Sequence, residues 1–305
     1  MTNVFTIDFL LRVIRLITPI LFASLGSFVA SSTGIGNIAI EGIMTMGALM
    51  GIIGSYLTKS AFLGLLIGVL TGVFMALLIA FFSMRLGANA TLVGIALNTF
   101  SSSLAAFILY QFTGEKGTSA KLFAPTFGTW DIPVIKDIPI LGQLLSGHLI
   151  LVYVVVIAAI LLYIFLYKTP TGLRMRSCGL NADAARTAGI NVERLQILSL
   201  ILSGTLAALG GIYLSMNYSP IYTNGIAAGL GWMGIAANGI ASGSYGILML
   251  ATAVFGVFRS ISIILAGKLP VDLIGAVPYF AVLLVIVALA VIQTIRTKQG
   301  KVAEQ

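Results

Sequence analysis

Along almost the whole chain, uniformly apolar runs alternate with short polar or glycine-rich breaks. The runs lie at 10–31, 37–57, 61–83, 91–112, 149–167, 195–216, 224–241, 246–266 and 273–295. Most approach the length of about 20 residues that a bilayer-spanning helix needs. They predict about nine membrane helices, or ten if one run is split. A membrane β-barrel is excluded, because its segments are about 10 residues long and alternate in polarity. The expected fold class is an all-α integral membrane protein, a single transmembrane domain over residues 1–305.

Two breaks are long. The first, 113–147, is rich in Pro and Gly, and its lysines (116, 121, 136) balance its acids (115, 131, 137). The second, 168–194, is basic: Lys168, Arg174, Arg176, Arg186 and Arg194 outnumber Asp183 and Glu193. The positive-inside rule puts that loop in the cytoplasm, together with the tail carrying Arg296, Lys298 and Lys301. Four spans separate the two, so the assignments agree. Counting backwards puts 113–147 outside, and with nine spans the N-terminus is outside too. Arg12 and Arg15 oppose that end, and a re-entrant first helix would reverse it.

Composition sharpens the class. Only 9% of residues are charged, against about 25% in soluble domains, and the mean hydropathy is +1.08. So few charges cannot cover a solvated surface. The net charge of +8 then reports cytoplasmic loops and not nucleic-acid binding. A single cysteine, Cys178, excludes an internal disulfide. No clustering of His, Cys and carboxylates suggests catalysis or a metal site. No phosphate-binding loop pattern is present, so this chain is not expected to hydrolyse ATP or to bind a cofactor.

Within the basic loop, "NADAARTAGI" (181–190) reads as a short capped helix. Asn181 suits the N-cap, where its side chain accepts from free backbone N–H groups. Asp183 near the start and Arg186 near the end follow the helix dipole. Gly189 suits the C′ position, which needs a left-handed residue. Ala182, Ala184, Ala185 and Ala188 leave little bulk, so another protein can approach closely. The residues alone leave a docking element and an ordinary solvated loop both open.

The chain carries one internal echo. "GIGNIAIEG" (34–42) and "GWMGIAANG" (231–239) match at Gly34/Gly231, Ile38/Ile235, Ala39/Ala236 and Gly42/Gly239. Both open Gly-broken segments five spans apart, as in the inverted repeats of transporters, whose interrupted helices line a central pathway.

The stretch "TGLRMRSCGLNADAARTAGINVERLQILSLILSGTLAALGGIYLS" (171–215) resembles the cytoplasmic coupling loop and following span of bacterial ABC-importer permeases. The group is the branched-chain amino acid and ribose type. The pattern is Gly-x-Arg, Gly-x-Asn, Ala-Ala-x-x-x-Gly-Ile and Ser-Gly-x-x-Ala-x-x-Gly-Gly. "GIGNIAIEGIMTMGA" (34–48) and "TLVGIALNTF" (91–100) extend the resemblance, and the Asn-Ile-x-x-Glu-Gly form is closest to nucleoside permeases.

The resemblance implies a permease subunit in a bacterial plasma membrane. It implies a second, non-identical permease, a cytoplasmic ATPase that uses ATP and Mg and grips residues 181–189, and an extracellular substrate-binding protein or lipoprotein. A simple-sugar permease and an ion-coupled secondary transporter remain as alternatives.

Several polar residues within apolar runs are candidates for the pathway. A carboxylate at a helix centre costs about 2.5 kcal/mol or more. Glu41, with Asn37 one turn earlier, therefore either gates or hydrogen-bonds a substrate, or pairs structurally with the polar loop near the cytoplasmic end. Asn98, in a stripe with Thr91 and Ser102, offers either substrate contacts or interhelical glue. The six glycines of 229–246 make a poor rigid helix. Trp232 and Asn238 there suit a cavity lining, although Trp is also a common interface anchor. Arg259 either snorkels to the outer face or pairs with an acid.

Overall fold

A computed structural model describes residues 7–115, 117–130, 146–265 and 280 of the chain. The predicted spans become helices α1 (Ile7–Ser31), α2 (Ile40–Thr58), α3 (Ala61–Ala80), α4 (Ala90–Thr113) and α5 (Ile150–Lys168). The polar loop folds into α6 (Pro170–Leu180) and α7 (Ala182–Thr187), and α8 (Val192–Tyr213), α9 (Leu230–Ala241) and α10 (Tyr245–Leu265) follow. Single π-helical turns extend α3 through Arg85 and α8 through Tyr218. A two-residue strand pair, β1 (Thr129–Trp130) and β2 (His148–Leu149), closes the 113–147 loop.

Among the described residues, seven helices are long and apolar enough to cross a membrane. Of the expected span at 273–295, only residue 280 is among those residues. The span expected at 224–241 is corrected. Only Leu230–Ala241 is helical, about 18 Å at 1.5 Å per residue, little more than half of a core about 30 Å thick. The lead-in is irregular, with left-handed backbone at Gly225 (φ 73°), Ala228 (φ 45°) and Gly229 (φ 82°). Three left-handed residues within five positions do not continue a right-handed helix.

Small residues bring the central helices together. Gly64, Gly68 and Gly72 recur every fourth residue on one face of α3. Cβ atoms there would meet Gly51 O and Ser55 Cβ at 2.6 Å, Gly47 O at 2.8 Å and Gly204 O at 2.6 Å. This is the small-xxx-small packing that lets membrane helices touch backbone to backbone. The resulting centre is α1, α2 and α8. The α1 and α2 spans are each 78% buried, whereas the α4 span is 28% buried. The exposed large apolar side chains of α3, α4 and α5 are the faces such a bundle leaves to lipid or to other subunits.

Helix α8 sets the depth scale. Thr33 Oγ1 lies 2.7 Å from Ser199 Oγ near its start, and the Tyr213 hydroxyl donates to the Arg15 carbonyl at 2.8 Å at its end. Helix α1 is therefore antiparallel to α8 and begins at the end of the bundle away from the polar loop. At that end the 113–130 segment covers the helix ends. Its Pro125 carbonyl accepts from Ser55 Oγ, and Asn217 Nδ2 donates to the Phe127 carbonyl at 3.0 Å.

Candidate functional site

Between α1 and α2 the chain turns at Ser32–Gly34, and residues 35–38 then form no regular structure. Asn37 anchors that stretch. Its Nδ2 donates to Ser203 Oγ at 2.9 Å, halfway along the 22-residue α8, and its Oδ1 accepts from the Ala39 N–H at 3.0 Å. Asn98 of α4 serves the same turn: Oδ1 accepts from the Gly42 N–H at 2.7 Å and Nδ2 donates to the Ile38 carbonyl at 2.9 Å. Both amides thus satisfy backbone groups that an interrupted helix leaves open at membrane depth.

Glu41, in the first turn of α2, completes the junction. Its Oε1 accepts from the Gly229 N–H at 2.8 Å and its Oε2 from the Gly231 N–H at 2.7 Å, both at the start of α9. A Cβ on Gly231 would lie 2.7 Å from the Glu41 Cα, so only glycine allows this approach. Two helix N-termini meet here, α2 running towards the 113–130 loop and α9 towards the polar loop. Each carries about half a positive charge, so their sum offsets one carboxylate. Burying Glu41 without those partners would leave the insertion cost standing. The alternative of pairing with the polar loop is corrected: both Glu41 oxygens are held at the start of α9.

The echoing segments therefore touch each other, Glu41 of one against Gly231 of the other. Asn238 sits at the far end of α9, where Nδ2 donates to Ser27 Oγ at 3.0 Å and Oδ1 accepts from Ser31 Oγ at 3.2 Å. It also lines a cavity of about 600 Å³ with Phe28, Tyr167 and Arg176 beside α6. Trp232 is 40% exposed on α9. Asn37, Glu41 and Asn98 thus converge on one junction, Trp232 lies one residue past it, and Asn238 belongs to the cavity nearer the polar loop.

The polar loop has the expected caps. Asn181 Oδ1 accepts from the N–H groups of Asp183 at 3.1 Å and Ala184 at 3.0 Å. Gly189 is left-handed (φ 79°). Its N–H donates to Arg186 O at 2.9 Å, and the Ile190 N–H donates to Ala185 O at 3.0 Å, both bonds of a Schellman stop. Arg186 and Asp183 pair at 2.8 Å on the surface. Of the alanines, Ala185 is buried against Cys178 and Val192, Ala182 is half-buried, and Ala184 and Ala188 are exposed. Burial pushes the Cys178 thiol up from its ordinary pKa.

Two features of the loop were not legible as separate elements. Helix α6 starts at Thr169, whose hydroxyl accepts from the Gly172 N–H at 3.1 Å, with Pro170 at N1. A Thr-Pro pair at the end of an apolar run was the available signal. Leu180, 89% exposed, stands beside α7 as an apolar knob. At the end of α6, a Cβ on Gly179 would meet the Ser32 carbonyl at 2.5 Å. Gln196 Nε2 donates to the Thr33 carbonyl at 3.3 Å. The polar loop therefore bears directly on the turn that leads to Glu41.

A helical membrane bundle in which two helix starts meet, with a capped loop helix linked through α6 to the turn before one of them, has the architecture of a transport permease. The family model described as the permease component of the branched-chain amino acid transport system matches residues 9–300, and the chain belongs to that family. It is a transport subunit and not an enzyme.

The nucleoside ABC transporter permease NupC of Lactococcus lactis is 31% identical over 83% of this chain and 81% of its own length. The guanosine ABC transporter permease NupQ of Bacillus subtilis is 30% identical over 72% of this chain and 70% of its own. Among solved structures, PsaBC from Streptococcus pneumoniae aligns with a TM-score of 0.52 at 15% identity, over 92% of this chain and 91% of that one. That likeness concerns the fold alone.

Proposed function

We propose that this chain is one of two non-identical permeases enclosing a pathway for nucleosides in a bacterial plasma membrane. A separate ATPase on the cytoplasmic side drives it, and an extracellular binding protein supplies it. The observation that carries this reading is the unbroken contact chain from α7 to the Glu41 junction. Helix α7 packs through Ala185 on Cys178, α6 ends on the Ser32–Gly34 turn, and that turn continues through residues 35–38 to α2.

Closure of the ATPases pushes α7, and the push reaches the two helix N-termini joined by Glu41. Separation of α9 from α2 opens or closes the pathway at mid-depth, in the manner of packed elements with two discrete arrangements. Asn181, Ala182, Asp183, Ala184, Ala185, Arg186, Ala188 and Gly189 form the coupling element. With this loop in the cytoplasm, the antiparallel α1 starts outside.

The nucleoside assignment rests on the relatives' names and on the resemblance at 34–48. Ribose or another simple sugar is the nearest rival. An ion-coupled transporter is disfavoured because the Glu41 carboxylate is already held by two backbone N–H groups. Membrane vesicles holding the full transporter test both points with labelled guanosine, adenosine and ribose. The expected result is ATP-dependent uptake of the nucleosides, competed by unlabelled nucleoside and not by ribose. Uptake of ribose alone, or uptake that a protonophore abolishes and ATP removal does not, contradicts the assignment.

A further inference from the structure

At the end of the bundle away from the polar loop, a cavity of about 170 Å³ opens between α1, α10 and the irregular lead-in to α9. Arg15 and Arg259 both line it, with Tyr213, Tyr218 and Ser219 as the other polar residues and Leu230 among the apolar ones. Neither arginine meets a carboxylate among the described residues. Arg15 Nε is buried and has no hydrogen-bond partner among them. A charged donor left unsatisfied carries a desolvation penalty larger than the 1–3 kcal/mol or so of a neutral group. Two guanidiniums lining one cavity call for an anion that accepts from both.

The location adds a second reason. With the polar loop in the cytoplasm, as proposed above, this cavity lies in the outer half of the membrane, where the positive-inside bias disfavours arginine. Arg15 and Arg259 are retained there against that bias.

We propose that the cavity binds a phosphate-type anion, carried by a phospholipid headgroup or free in solution. The guanidinium fork matches phosphate oxygens two at a time, and the Tyr218 hydroxyl adds a neutral donor. Leu16 and Ile263, also in the lining, offer apolar surface to the start of an acyl chain. The anion sits on the opposite side of the lead-in from Glu41, since the cavity reaches Ala228 and Leu230 and the intervening Gly229 N–H belongs to Glu41. Occupancy therefore braces the segment on which the junction depends.

The test is thermal unfolding of the delipidated transporter in detergent, titrated separately with phosphatidylglycerol, phosphatidylcholine and inorganic phosphate at constant ionic strength. A ligand that prefers the folded state raises Tm with concentration. The expected result is a rise with phosphatidylglycerol or with phosphate and none with phosphatidylcholine. A rise with phosphate alone identifies a soluble anion, and a rise with the lipid alone identifies a headgroup.

Arg15→Gln and Arg259→Gln should each cut the rise by at least half, and the double variant should abolish it. Arg12→Gln, on α1 and outside the cavity lining, should leave it intact. Should the double variant not fold, native mass spectrometry of the unaltered transporter serves instead. It should retain phosphatidylglycerol in preference to phosphatidylcholine. No rise with either anion, a rise that survives the double variant, or equal retention of the two lipids overturns the proposal. None of these measurements depends on which substrate is transported.

Discussion

At the scale of single residues, the account turns on a carboxylate whose partners are all backbone. Glu41 accepts from Gly229 and Gly231, and a hydrogen bond to a charged group is worth about 1.5–3 kcal/mol. Glu41→Gln keeps one acceptor oxygen and loses the charge that offsets two helix N-termini. That loss corresponds to about tenfold or more in the population of the joined state. Uptake should fall by at least that factor, while co-purification of the ATPase is unchanged. Asn98→Ala strips partners from the Gly42 N–H and the Ile38 carbonyl, at about 1–3 kcal/mol for a group left unsatisfied. Lowered thermal stability in detergent is the expected reading, with an unchanged Tm counting against the assignment. That Glu41 and Asn98 need polar partners was legible from their chemistry in an apolar chain. What they hold was not, because the partners lie 188 and 190 residues away for Glu41 and 56 and 60 away for Asn98.

Helix α7, whose caps lie within its own few residues, is legible in the sequence, and the short length of α9, whose start is held by Glu41 from afar, is not. Helix α7 was legible because Asn181, Asp183, Arg186 and Gly189 carry its start, dipole and stop locally. The stretch 224–241 reads as a full span because it carries no charged residue, and hydropathy does not register left-handed backbone at Gly225, Ala228 and Gly229. The local cap of α7 makes a direct prediction. Asn181→Ala costs about 1 kcal/mol of helix stability and loosens Ala185 over Cys178. In the unaltered protein, burial holds the thiol pKa above its ordinary value, so the thiolate fraction at neutral pH is below that of a free cysteine. Alkylation should be slow there and still climbing at a pH where a free thiol has levelled off. Asn181→Ala should accelerate it at every pH, and equal rates would show that the cap does not hold the loop closed. At the other contact of the loop, Gly179→Val places atoms against the Ser32 carbonyl, where even a Cβ comes to 2.5 Å. Reduced uptake with the ATPase still bound is the expected outcome, measured in one membrane preparation.

For the whole molecule, the layered arrangement follows from helices that are apolar on every side and small where they meet. Seven of the expected spans are long helices, and their order and the antiparallel course of α1 and α8 follow the alternation of apolar runs. The meeting of the two echoing segments is a tertiary fact that no local pattern encodes. The central claim is that the polar loop is the lever and the Glu41 junction is what it moves. Ala184→Arg tests it most directly, since Ala184 is exposed on α7 and its replacement disturbs no described contact of its side chain. Labelled guanosine uptake and co-purification of the ATPase are measured together, at matched membrane levels of the two proteins. Loss of both uptake and ATPase is the result the account predicts. Normal uptake with the ATPase still bound, despite a bulky charge on that helix, would contradict it.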